Sequence, residues 1–542
     1  MRECTIEERE GGEIVFCGDK IDTAGYEGPL WPFLKQRMQS HGVRTAFVNP
    51  YNREEFSYAR VLSLVERLAR GLRKLGLREG GSLCILAPNS IENALLILAT
   101  MAAGGVVHAI NPASMPDEIR RQLVLTEAGF MVTVQQFQAP VQQAVSGSNV
   151  RVIHIGQRRN GILNYSDLLT LGSDDVTLPT TFGDPGNSIA SLLFSSGTTG
   201  VPKGVEITQR NMRAWIHIFS MVEGGTMQAD DVVLLFLPFF HVYGQVVTLL
   251  SSLATGSKVV VMEKFDMLDF LSFAARYKAS VLFLVPPVVI GMLNFPKLSD
   301  YDLSSVRFVV CGAAPLGKDT EAQFTRTMGV PCLQGYGMTE NMVAAMNSLN
   351  KYKTGSCGFP LPNMEFKIVD AEKNRCLGVK QAGDLYMRGP MTMRGYHKNP
   401  QATTDTIDSK GWLNTGDVGL FDSDGFLYIV DRKKELIKYK GEQVPPAVLE
   451  DVLLNHPGIA DACVVGMPDP VAGELPMAFV VTAPGHTLTA QQVQDFVAKS
   501  VPSFMQLRGG VEFREQIPKS PSGKILRRLL RDELKQKVTA KL

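Results

Sequence analysis

The chain carries no excess of charge of either sign: 55 lysines and arginines stand against 54 aspartates and glutamates, a formal net charge of +1 over 542 residues. That balance removes the electrostatic case for nucleic acid or an anionic membrane as the main partner. The eight cysteines, Cys4, Cys17, Cys84, Cys311, Cys332, Cys357, Cys376 and Cys463, never fall at C-x-x-C spacing. Neither a zinc cluster nor a disulfide framework is indicated, and a reducing compartment fits. Near the amino terminus stand Glu7, Glu8, Arg9 and Glu10 rather than an apolar stretch, so no secretory leader is expected. Uninterrupted apolar runs are missing as well. Residues 232–257 lack formal charge but contain Pro238, His241, Gly244 and Gln245, and residues 279–296 are broken by Pro286 and Pro287. A lipid-spanning helix tolerates such residues poorly, so no transmembrane segment is expected and buried strands and core helices are the better use. No internal repeat or low-complexity segment is evident.

What is present is a chain too long for one core, so two or more domains are expected. Val61, Val65, Leu68, Leu72 and Leu75 form one helical stripe that ends at Gly76, and a strand-like Ser82-Leu-Cys-Ile-Leu-Ala87 follows. The same rhythm returns with β-branched runs at residues 259–262, 280–285 and 306–310, apolar enough to suggest sheets covered on both faces. From about Gly355 the texture changes to short alternating strands with Gly, Pro and Asp turns, as at residues 365–369 and 425–430. A charged run, residues 432–441, precedes a helix opened by Pro445 and Pro446. The expected fold is α/β: a large N-terminal domain, residues 1–431, built of α/β subdomains with a β-rich subdomain from about 355, and a small α+β domain, residues 432–542.

The densest chemistry lies at Ser195-Ser-Gly-Thr-Thr-Gly-Val-Pro-Lys-Gly204, behind the apolar run 189–194. Gly197, Gly200 and Gly204 let backbone N–H groups approach an anion; Ser195, Ser196, Thr198 and Thr199 add hydroxyls, and Lys203 adds a point charge suited to phosphate. The spacing is not that of a Walker A loop, because Lys203 is followed by Gly204 and no G-K-[ST] is present to ligate magnesium. Standing alone, the segment reads as either a phosphate loop of another kind or a Ser/Gly-rich surface turn.

It does not stand alone. Pro238-Phe-Phe-His-Val-Tyr-Gly244, Gln334-Gly-Tyr-Gly-Met-Thr-Glu340, Gly411-Trp-Leu-Asn-Thr-Gly-Asp417 and Pro518-Lys-Ser-Pro-Ser-Gly-Lys524 follow in order, with Asp431-Arg432 between the last two. This set resembles the adenylate-forming superfamily, in the branch of 4-coumarate-CoA ligases, acyl-CoA synthetases and beetle luciferases, from about residue 25 onward. The resemblance implies an acid-thiol ligase that uses ATP, Mg2+ and CoA. A carboxylate attacks the α-phosphate of ATP to give acyl-AMP and pyrophosphate, and CoA then displaces AMP. By the same resemblance Lys524 is the catalytic lysine of adenylation and Glu340, after Thr339, is the magnesium ligand. Asp417 and Arg432 hold the nucleotide, with Gln334, Gly335 and Tyr336 on its adenine side. Rotation of the small domain about Asp431 would bring Lys438, Lys440, Gly441 and Gln443 to the site. There Lys434 and Lys438 approach acyl-AMP, Lys440 and Gly441 approach CoA, and Lys264 is a further CoA contact. His241, Tyr243 and Ala313, with Ala314, line the acyl end.

The chain departs from plant coumarate ligases after Glu340, where Asn-Met-Val-Ala-Ala-Met346 replaces their usual Ala-Gly-Pro. Flexible methionines change pocket shape, so both aromatic acids and medium- or long-chain fatty acids remain as substrates. A luciferase-like oxygenase and a carrier-loading adenylation enzyme are the competing readings. The terminal Ala540-Lys541-Leu542 resembles the S-K-L peroxisomal address, so a peroxisome or related microbody and its import receptor are expected, with the cytoplasm as the alternative.

Overall fold

The computed structural model describes residues 3–159, 161–172, 176–180, 184, 187–195, 202–221, 227–440, 442–520 and 523–539. The expectations at Ser196, Gly197, Thr198, Thr199, Gly441 and Ala540-Lys541-Leu542 lie outside these residues.

The large N-terminal domain is built on three sheets. An eight-stranded sheet runs in the order Gly395–Tyr396, Lys203–Thr208, Ile189–Ser195, Val106–Ala109, Ser82–Leu86, Phe130–Val134, Arg151–Ile155, Leu163–Asn164. A nine-stranded sheet is parallel through Cys332–Tyr336, Phe308–Cys311, Val281–Leu284, Val232–Leu235, Lys258–Val261 and Thr45–Val48, with short antiparallel strands at both ends. Their strands are apolar on both faces because helices cover both. The helix Ile91–Ala102 buries all but Glu92 and the helical segment Tyr243–Leu250 is buried throughout, as only helices enclosed in a core can be. The stripe read from sequence forms the helix Tyr58–Lys74, capped by the Ser57 hydroxyl accepting from Arg60 N–H.

The β-rich region forms a seven-stranded antiparallel sheet from Glu365–Asp370, Arg375–Leu377, Gly383–Arg388, Leu413–Phe421 and Leu427–Arg432. It also recruits the charged Thr5–Arg9 and the largely apolar Glu13–Cys17 from near residue 10. Two short strands from the same region leave it: Phe359–Pro360 joins the nine-stranded sheet and Gly395–Tyr396 the eight-stranded one.

The small C-terminal domain has its own five-stranded sheet, ordered Glu442–Val444, Ile437–Tyr439, Gly473–Thr482, Ile459–Asp469, with Gly510–Phe513 parallel to Gly473–Thr482. Apolar clusters pack on either side of it, against the helices Pro446–Leu454 and Ala490–Ala498 and against Arg527–Thr539. The ladder that ends the large domain runs past Asp431: Asp417 pairs with Arg432, and Lys433 N–H bonds Gly416 C=O. All eight cysteines are free thiols. Among the described residues no helix is long and apolar enough to cross a membrane.

Candidate active site

Tyr336 and Arg432, each at the end of its strand, meet Asp417 in the strand Leu413–Phe421, and a loop of the small domain comes near. Its carboxylate accepts a 2.6 Å hydrogen bond from Tyr336 Oη on Oδ2, and Arg432 Nε stands 3.7 Å from Oδ1. Burial pushes the Asp417 carboxyl up, while Arg432 and Tyr336 pull it back. Tyr336 is itself held well above its usual range by burial and by Asp417, so it stays a donor. A carboxylate has about four acceptor positions, so Asp417 can still receive the hydroxyls of a diol.

Lys524 reaches this group from the small domain. Its loop is closed by Ser520 N–H to Lys524 C=O at 2.7 Å and Lys524 N–H to Ser520 Oγ at 3.1 Å. Gly523 before it has φ +80° and faces Val285 and Pro287 of the large domain, which a Cβ at 523 would meet at 3.2 Å. A side chain there would be strained in conformation and tightly packed as well. Burial and the Arg432 charge bring Lys524 down to about 8, while Glu435, Asp417 and Glu340 act upward. Arg527, three residues on, donates to Glu435 Oε2 at 2.7 Å and to Glu450 Oε2, tying the Lys524 loop to the segment just after Asp431. Asp431 is buried; its carboxylate accepts from Arg432 N–H at 2.7 Å and from Ala447 N–H, in the first turn of Pro446–Leu454, at 3.0 Å.

A second group centres on Glu340, which is buried. Its Oε1 accepts from Tyr396 Oη at 2.9 Å, and its backbone carbonyl accepts from Met393 N–H at 2.8 Å. The ammonium of Lys203 lies 4.7 Å from the Tyr396 ring centroid. Lys203 faces Ser195 across the antiparallel pair that brackets the expected phosphate loop, and Ser195 Oγ is buried with no hydrogen-bond partner among the described residues. An orphaned hydroxyl, a lysine and a carboxylate with one oxygen uncommitted among the described residues are a donor set that fits a triphosphate and Mg2+.

At the expected acyl end the polar side chains have set partners. His241 Nδ1 accepts from Tyr243 N–H at 3.2 Å, which leaves the proton on Nε2, and burial with the Lys524 charge lowers the imidazole to about 4. Tyr243 Oη donates to Val310 C=O at 3.0 Å, with Leu284 C=O at 3.2 Å, so its hydroxyl is committed to the sheet. Ala313 sits at φ +73°, a costly conformation for a non-glycine residue, directly beyond the strand Phe308–Cys311. Met342 and Met346 are buried, and Met346 pairs with Gly335 across the ladder.

Gln334 is placed on the expected strand, but its amide turns inward. It donates to Leu316 C=O at 3.1 Å and Glu321 Oε2 at 2.5 Å and accepts from Leu316 N–H at 3.2 Å. Thr339 is half-buried beside Glu340. Lys264, Lys434, Lys438, Lys440 and Gln443 are exposed. Lys438 pairs with Gln443 in the hairpin, and Lys440 has φ +49° at its turn. Sequence reading missed Tyr396, Glu435 and Arg527; the partners of Tyr396 lie far away in the chain, and no local pattern marks it.

Residues 34–397 match the AMP-binding enzyme family and residues 448–524 match the AMP-binding enzyme C-terminal domain. 4-Coumarate:CoA ligase 1 of Petunia hybrida is 39% identical over 517 residues, covering 93% of this chain and 94% of its own. 4-Coumarate–CoA ligase 2 of Nicotiana tabacum is 40% identical over 521 residues, again covering 93% and 94%. The solved structure of o-succinylbenzoate CoA synthetase from Bacillus subtilis, in complex with its acyl-adenylate intermediate, aligns with a TM-score of 0.80 at 27% identity, covering 93% of this chain and 98% of that one.

Proposed function

The chain belongs to the AMP-binding enzyme family, and on that premise we propose how its residues divide the work of an ATP-dependent carboxylate-CoA ligase. It is an acid-thiol ligase that makes acyl-AMP and then acyl-CoA from aromatic acids. Its relatives named 4-coumarate-CoA ligases make hydroxycinnamates the first acids to try.

In the first step a carboxylate oxygen attacks the α-phosphorus, the bond to the bridging oxygen of pyrophosphate breaks, and negative charge grows on the phosphoryl oxygens. Lys524 neutralises that charge, Asp417 and Arg432 hold the ribose side, and Lys203 with the Ser195 hydroxyl holds the phosphates. Glu340 would hold Mg2+, which when bound offsets phosphate charge. In the second step the CoA sulfur attacks the acyl carbon and AMP leaves. That step belongs to a rotated small domain, in which Lys434, Lys438 and Gln443 turn to the acyl-adenylate and Lys440, Gly441 and Lys264 to CoA. Within the first step, Gln334 acts through its strand rather than its amide, and His241 acts as a neutral donor from Nε2. The observation that carries this reading is the convergence of Lys524 with Asp417, Arg432 and Glu340 across the two domains.

The test is pyrophosphate release with ATP and Mg2+ over cinnamates, benzoates and fatty acids, each with and without CoA. CoA-dependent turnover on an aromatic acid is expected. Adenylation indifferent to CoA would favour a luciferase-like or carrier-loading enzyme, and turnover confined to fatty acids would overturn the aromatic assignment. The microbody address at Ala540-Lys541-Leu542 is part of the same proposal, tested by import of a reporter ending in those residues.

A further inference from the structure

Tyr396 touches both charged groups that handle the phosphates, although nothing in the motif set marks it. It lies on the two-residue strand Gly395–Tyr396, whose partner is the strand that opens at Lys203. Its place is fixed from several sides. Tyr396 N–H bonds Thr403 Oγ1 at 2.9 Å, Met393 N–H bonds Glu340 C=O at 2.8 Å, and His397 N–H bonds Gly204 C=O at 2.8 Å. The His397 ring meets Glu206 at 2.7 Å. From this knot the Tyr396 side chain, itself buried, gives its hydroxyl to Glu340 Oε1 and its ring face to the Lys203 ammonium.

We propose that Tyr396 is a positioning residue that holds Glu340 single-handed for the metal and seats Lys203 on its ring, linking the phosphate loop to the metal carboxylate. The inference rests on the assignment of Glu340 to Mg2+. A phenol that occupies Oε1 leaves Oε2 to a cation and favours one-oxygen coordination, which suits an octahedral ion that keeps several waters. The hydroxyl also fixes the carboxylate rotamer before the metal arrives, as outer-sphere partners of ligating carboxylates do. The ring holds Lys203 by attraction between the cation and the aromatic face and leaves N–H donors on its far side for phosphate.

The two functions of the side chain separate by substitution. Tyr396→Phe removes the bond to Glu340 and keeps the ring; Tyr396→Leu removes both. ATP is titrated calorimetrically into the full chain, in EDTA and in Mg2+. Tyr396→Phe is expected to leave ATP affinity in EDTA unchanged and to raise the Mg2+ concentration for half-maximal tightening by about ten-fold, the scale of a hydrogen bond to a charged group. Tyr396→Leu is expected to weaken ATP binding in EDTA as well, by roughly three- to ten-fold. In the double variant Tyr396→Phe with Glu340→Gln, the Mg2+ response should be no worse than in Glu340→Gln alone, because the tyrosine acts through the glutamate. A general packing defect would instead add to it and would lower the melting temperature. A parental Mg2+ response in Tyr396→Phe, with Glu340→Gln defective, overturns the role of Tyr396 and leaves Glu340 in place. A parental response in Glu340→Gln overturns the metal assignment and this inference together.

Discussion

Lys524 carries a proton that its surroundings make easier to lose, since burial and Arg432 bring it to about 8. The charged form is the one that can neutralise a phosphoryl oxygen, so adenylation measured as kcat/KM should fall as pH rises through about 8. Thioester formation from supplied acyl-AMP should not share that inflection. His241, held near 4, should add no inflection between pH 5 and 7. Lys524→Ala is expected to lower acyl-AMP formation by about 10²–10³-fold, the range for removing one preorganised charge-stabilising group, while keeping most thioester synthesis from supplied acyl-AMP. Lys524, Asp417 and Glu340 were legible because each ends a short motif. Gln334 was legible in place but not in direction, since the buried Glu321 carboxylate that captures its amide comes from a separate helix, Lys318–Met328. Tyr396 was not legible, because what defines it is contact with Glu340 and Lys203, and no spacing rule connects those positions.

Among elements, the contact between Lys318–Met328 and Pro446–Leu454 decides how the small domain sits. Asp451 lies on Gly317, the residue that opens the first of these helices, so closely that a Cβ at 317 would overlap the Asp451 carboxylate. Beside it Asn455 Nδ2 donates to Asp319 Oδ2 at 3.2 Å. A Cβ at 317 would meet only the end of the Asp451 side chain, which can turn away, so Gly317→Ala should change adenylation little; a bulky side chain, as in Gly317→Phe, should disfavour this orientation and lower adenylation while sparing thioester formation from acyl-AMP. Element identity was largely readable wherever apolar period and cap agreed, as in Tyr58–Lys74. The strand Thr5–Arg9 was hidden by its charge, which the fold answers across the sheet through Arg9 with Glu365 at 2.7 Å, and Glu13–Cys17 by its shortness, with Glu13 answered by Lys367 at 2.9 Å. The π-helix Tyr243–Leu250 was hidden too, since its widened turns leave no apolar period to recognise when every residue is buried.

For the whole molecule, Lys524 stands in the site while Lys438, Lys440 and Gln443 are exposed on the small domain's hairpin. Fixing that arrangement should divide the two half-reactions. In Gly317→Cys with Asp451→Cys, the two side chains would start close together, at or below the short end of the roughly 3.5–4.5 Å between Cβ atoms that a disulfide spans, so oxidation would lock this contact after a small outward shift. The oxidised protein should release pyrophosphate once and hold acyl-AMP, and dithiothreitol should restore acyl-CoA formation. Full acyl-CoA turnover in the oxidised form would sink the rotation. The seat of Gly523 on Val285 and Pro287 bears on the order of events. While that loop is seated, the small domain cannot also present its hairpin, so one reactant's product must depart before the last reactant is engaged. Initial-rate plots against ATP at several CoA concentrations should then be families of parallel lines, and added pyrophosphate should make them converge.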